Sequence, residues 1–93
     1  LGFLPHKKGR QTVLNEIADI KRTVVLFESP HRIGKLLHEL NKRCPERPAA
    51  IFREMTKLHE THYRGTIAVL QQRFVDGQIL EKGEFVVVLG TRH

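Results

Sequence analysis

Two short stretches concentrate the side chains able to do chemistry. Glu28-Ser29-Pro30-His31-Arg32 sets an acid, a hydroxyl, an imidazole and a guanidinium in one corner, and the stretch from Arg53 through Glu54, Met55, Thr56, Lys57, Leu58 and His59 to Glu60 does much the same. Each follows directly on an apolar run that reads as a buried strand. Ligand sites in open α/β sheets lie beyond the carboxyl ends of strands, where helix N-termini also offer free N–H groups. Capping explains Ser29 as an N-cap and Pro30 as a first helical residue. It does not explain Glu28, His31 or Arg32, since an Arg in a first helical turn opposes the dipole. Two such clusters at the ends of neighbouring strands are expected to form one polar rim. Glu28, Arg32, Arg53 and Glu54 should then lie close in space, with at least one carboxylate–guanidinium contact.

Other chemistries find less support. The six histidines include His59 and His62 in an HxxH pattern, not the HExxH that sets two ligands one helical turn apart. On an extended segment those two point to opposite faces, so no metal site is expected. No Walker loop, GxGxxG or GxSxG occurs. Cys44, the single cysteine, excludes an internal disulfide framework and suggests a reducing compartment.

The elements that must position these clusters follow from periodicity. Leu1–Leu4 reads as a short strand ended by Pro5, and Val13, Leu14, Ile17 and Ile20 fall at helical spacing over residues 10–20. Thr23–Phe27 and Phe85–Leu89 are continuous apolar runs, the pattern of strands covered on both faces. Ile33, Leu36, Leu37 and Leu40 make a helical stripe stopped by Cys44-Pro45. Ala49–Arg53 and a short Thr61–Arg64 read as strands, separated by a charged break. Gly65-Thr66 then caps a helix carrying Ile67, Leu70 and Phe74. The sum is an α/β domain with a mixed sheet of about five strands and about three helices.

Ninety-three residues fit one domain, and a core this modest suggests an apolar surface left for a neighbour to cover. No apolar run approaches the roughly 20 residues of a membrane span, and no signal peptide appears, so a cytoplasmic protein without membrane contact is expected. The chain opens on a strand at Leu1 without an initiator Met and reads as a piece of something longer. A net charge of +6 favours anionic partners, nucleic acid above all. The basic residues gather at Lys7, Lys8 and Arg10, at Lys21 and Arg22, and at Lys42, Arg43 and Arg47.

The blocks "GFLPHKKGR" (2–10), "FESPHR" (27–32), "REMTKLHE" (53–60), "RGT" (64–66) and "KGEFVVVLG" (82–90) occur in an order that resembles one family. It is the bacterial ribosomal RNA small subunit methyltransferase I family, within the tetrapyrrole-methylase class of S-adenosylmethionine-dependent enzymes. The resemblance runs from Gly2 to Gly90; His6 stands where Arg is more usual and Ser29 where Ala is common. It implies a two-domain enzyme with the cofactor, S-adenosylmethionine, in the cleft between domains. Residues 1–93 then form the C-terminal domain, which binds cofactor only together with an N-terminal domain whose glycine-rich loops have no counterpart here.

The implied reaction methylates a cytidine ribose 2′-hydroxyl in small-subunit (16S) rRNA. The partners implied are that rRNA, the N-terminal methylase domain and a second copy in a homodimer. By position, Glu28, Glu54 and Met55 border the cofactor. Arg32, Arg53 and Arg64, with Lys7, Lys8 and Arg10, are candidates for the RNA. Lys57 or His59 serves as a weak general base, and sequence does not choose between them. Two other readings stay open: a non-catalytic RNA- or protein-binding module, and a methylase acting on a small tetrapyrrole.

Overall fold

The computed structural model of the chain describes residues 2–4, 8–56 and 59–91. The element order is β1 (Gly2–Phe3), α1 (Arg10–Asp19), β2 (Val24–Glu28), α2 (Ile33–Arg43), β3 (Pro48–Thr56), β4 (His59–Thr66), α3 (Ile67–Val75) and β5 (Glu84–Leu89). The strands form one mixed sheet in the order β1-β2-β5-β3-β4. β1 runs parallel to β2, and the other neighbours are antiparallel.

One face of this sheet is apolar and covered. Val24 and Leu26 of β2, Phe85, Val87 and Leu89 of β5, Ala49 and Ile51 of β3 and Tyr63 of β4 are buried in a single cluster. Leu14 and Ile17 of α1, Ile33, Leu36, Leu37 and Leu40 of α2, and Ile67 and Leu70 of α3 complete it. Each such side chain contributes about 1.5–3 kcal/mol when fully buried. The three helices therefore form one layer, with α2 between α1 and α3.

The opposite face is open, which corrects the expectation of strands covered on both sides. Along β2 and β5 burial alternates, so Val25, Val86 and Val88 are half-buried and Phe27 is exposed. Phe3 stacks beside Phe27 at 5.7 Å between ring centroids. β-branched side chains suit either face of a strand, so a continuous apolar run does not itself require a second layer.

Two boundaries also differ from expectation. Ser29 does not cap α2: residues 29–32 make a turn in which the Ser29 carbonyl accepts from both Arg32 N and Ile33 N. The helix begins at Ile33, with Arg32 at the N-cap position and no side-chain cap. The charged residues after Arg53 do not end the sheet either: β3 extends to Thr56 and β4 starts at His59, with a register irregularity between Glu54 and Thr56. Alternation sends exposed charges such as Glu54 to the open face, where water solvates them. The start of α3 is as expected, with the Thr66 hydroxyl accepting from Val69 N at 3.2 Å.

Candidate functional site

β5 lies between β2 and β3 and runs antiparallel to both, so β2 and β3 are parallel and end on one edge of the sheet. β1 ends there too, being parallel to β2, and exposed Lys8 follows it. The two clusters singled out in the sequence thus lie on one edge of the sheet, though not on neighbouring strands as expected, since β5 stands between β2 and β3.

Their side chains divide between the two faces. Glu28, Phe85, Arg53 and Thr61 are successive register partners across four strands and share the helix-covered face. Glu28 is 4% exposed and Arg53 5%. Glu28 Oε1 accepts the backbone N–H of its own neighbour, Ser29, at 2.9 Å. Arg53 Nη2 donates to Thr61 Oγ1 at 3.4 Å, a long bond, while its Nε and Nη1 are buried with no partner.

The expected carboxylate–guanidinium contact is not formed. Glu28 and Arg53 stand two strand spacings apart, about 10 Å at the backbone, with Phe85 between them. Glu54, one residue beyond Arg53, turns to the opposite face. Arg32 is half-buried at the turn before α2.

Glu54 instead lines an open groove of about 360 Å³ on the outer face, with Phe52, Glu84, Val86 and Val88. Its floor is apolar, and register pairs Glu54 directly with Glu84. His62 stands beside this groove, its ring 6.0 Å from that of Phe52. Arg64 is exposed on the same face, paired with Ala50 and three residues along β4 from the Arg53 row. Phe52, Val86 and Val88 were not singled out from sequence as site residues. Alternation on β5, read with its one-sided burial, is the signal that finds them.

Arg10 departs most from the expectation of an RNA contact. It is 2% exposed, and its Nη2 lies 2.7 Å from Glu39 Oε1 in a buried ion pair joining α1 to α2. Arg10 Nε donates to the same carboxylate, as does Gln11 Nε2. Burial raises the Glu39 pKa, but the Arg10 hydrogen bond and charge, with Gln11 and Lys35, outweigh it and hold the carboxyl below its ordinary value. In this arrangement the Arg10 guanidinium is committed to the fold. Lys7 and Lys57 lie outside the described residues, as do the side chains of Met55 and His59; the His59 backbone opens β4.

A larger hollow of about 520 Å³ lies at the opposite edge, lined by Arg43, Cys44, Pro45, Glu46, Arg47, Pro48 and Thr91. Its arginines are engaged with the protein. Arg47 donates to the carbonyls of Gly90, Ile17 and Arg22, and Arg43 to Asn15, Gln11 and the Glu39 carbonyl. They tie strand ends to helices.

A mixed sheet with helices on one face, whose parallel strands β2 and β3 end on one edge, makes this a two-layer α/β domain. Residues 1–71 match the family described as Tetrapyrrole (Corrin/Porphyrin) Methylases, and the chain belongs to that family. Among curated proteins it is 43% identical over 90 residues to a ribosomal RNA small subunit methyltransferase I of Coprothermobacter proteolyticus, covering 96% of this chain and 38% of that protein. It is 38% identical over 91 residues to the protein of the same name from Thermotoga maritima, covering 98% and 40%. For the Neisseria meningitidis protein of that name the identity is 37% over 89 residues, covering 95% and 31%. The chain therefore spans between about a third and two fifths of the length of these relatives.

Proposed function

We propose that this chain is the C-terminal domain of an S-adenosylmethionine-dependent enzyme that methylates a cytidine ribose 2′-hydroxyl in small-subunit rRNA. The observation that carries the reading is the edge where β2 and β3 end together, which holds Glu28, Arg53 and Glu54 at the strand ends and Arg32 in the turn after β2. The relatives' shared name, ribosomal RNA small subunit methyltransferase I, supports the RNA as substrate.

The residues present fit the cofactor. The outer groove joins an apolar floor of Phe52, Val86 and Val88 to the carboxylates of Glu54 and Glu84, a lining suited to an aromatic ligand with a positive charge. On this reading the backbone around Glu28 and the Glu54–Met55 segment border the cofactor, and an N-terminal domain closes the other side. S-adenosylmethionine supplies a methyl group already activated on a sulfonium, so the protein's main task is alignment of the ribose oxygen. Lys57 or His59 takes the hydroxyl proton. Lys7, Lys8, Arg32 and Arg64 offer charge to the RNA backbone, and Arg53 acts within the edge. The working unit is a cytoplasmic homodimer.

The test is nucleoside mass spectrometry of small-subunit rRNA after incubation with the full-length protein and S-adenosylmethionine. The expected product is a cytidine methylated on its ribose. A methyl group on the base, or methylation of a tetrapyrrole and not of RNA, contradicts the proposal.

A further inference from the structure

A guanidinium sealed from water with most of its N–H groups unpaired is costly. Burying an ion requires a partner charge and hydrogen bonds to offset its lost hydration. Arg53 has one long bond to a hydroxyl, and arginine does not escape by losing its proton. A second buried charge of opposite sign, Glu28, stands on the same row and face yet bonds only with its neighbour's backbone N–H. Arg10 and Arg47, the other buried arginines, are both held by several acceptors. Among the described residues Arg53 is the buried cation that the fold itself does not satisfy.

We infer that Arg53 and Glu28 form a seat for a single nucleotide of the RNA, Arg53 donating to a phosphate oxygen and Glu28 accepting from a hydroxyl or amino group of that nucleotide. The inference rests on the proposed rRNA methyltransferase function and adds the part of the substrate that these two side chains hold. A nucleotide carries an anion and donor groups within one residue, which matches a cation and an acceptor on one row. An enzyme acting on one nucleotide gains by drawing it out of its strand. Both side chains are covered in this structure, so the edge must part for the nucleotide to enter. The unsatisfied guanidinium favours that opening only when an anion arrives. Exposed cations such as Lys8 and Arg64 supply general attraction, whereas the seat fixes which nucleotide is presented.

The experiment uses the full-length protein, S-adenosylmethionine and small-subunit rRNA, with Arg53→Met, Arg53→Lys and Glu28→Gln. Four quantities are read: melting temperature, cofactor affinity by calorimetry, methylation rate at saturating RNA, and the salt dependence of RNA affinity. Removing an unpaired buried charge should leave the melting temperature of Arg53→Met unchanged or raise it. Cofactor affinity should hold and the salt slope should fall by no more than about 1, the share of one phosphate contact, while the rate falls about 10- to 100-fold, the scale of one charged hydrogen bond. Arg53→Lys should not restore the rate, since the ammonium lacks the planar fork. Glu28→Gln should lower the rate while leaving cofactor affinity intact.

A lower melting temperature in Arg53→Met with a normal rate per folded molecule would make Arg53 structural and overturn the inference. Cofactor affinity falling with the rate would give the seat to the cofactor, overturning it equally. A wild-type protein that binds cofactor but methylates no rRNA removes the functional reading as well, an outcome distinct from the other two.

Discussion

At the scale of single residues, two buried arginines differ in what their loss should do. Arg10 is fully matched by Glu39, so cutting the pair strands a charge. Glu39→Ala should cost about 3–5 kcal/mol, read as a drop in unfolding free energy by denaturant titration. Because the Glu39 pKa is lowered in the folded state, its contribution is complete above the ordinary value of 4.5 and is lost as pH falls below that, through the folded value. Titrations at neutral and strongly acidic pH should therefore show Glu39→Ala costing less in acid. The sequence offered both arginines as candidates for the RNA. Nothing in "KKGR" distinguishes an Arg that lies over Glu39 from one that meets RNA, because the partner is 29 residues away. Arg53 was legible as a site residue from its place after a strand, but its unpaired state needed the register.

At the scale of elements, the crossing of α2 and α3 depends on Gly34. A Cβ there would stand 2.5 Å from Phe74 Cε2, so the ring must move. Alanine favours helix over glycine by about 1 kcal/mol, but displacing a core-edge ring costs about 1–3 kcal/mol. Gly34→Ala should destabilise by roughly 0–2 kcal/mol, and adding Phe74→Leu should recover part of any loss. A thermal-melt cycle over the two positions checks it. Helices α1 and α3 and the four longer strands were largely visible in sequence, since their apolar spacing answers to one buried face. The junction before α2 was not. Ser29 and Pro30 fit a helix start by type, yet the Ser29 carbonyl and the Glu28 carboxylate make a turn first and delay the helix to Ile33. The reach of β3 to Thr56 and of β4 back to His59 was hidden for a different reason. Strand signals rely on apolar alternation, and one face of this hairpin meets solvent.

At the scale of the whole molecule, the +6 charge and the open apolar face bear on different partners. Charge acts through counterion release, so each exposed cation that meets an RNA phosphate adds about 0.7–0.9 to the salt slope of binding. Replacing Lys8, Arg32 and Arg64 together in the full-length protein should lower that slope by about 2–3, measured by filter binding over a salt series. The open face, with Phe3, Phe27, Val25, Val86 and Val88, is the apolar surface that the short chain was expected to leave for a neighbour. The sequence called for that surface from size alone, but only the sheet order locates it opposite the helices.

The central claim is that RNA is handled at the edge where β2 and β3 end. Hydrogen exchange of the full-length protein, with and without small-subunit rRNA, tests it most directly, because it reports on both edges of the sheet at once. Binding should protect backbone amides over residues 28–33, 52–56 and 59–62, and leave residues 43–48 at the opposite edge unchanged. Protection concentrated at residues 43–48, around the larger hollow of Arg43 and Arg47, with none at 28–33 and 52–56, would contradict the account.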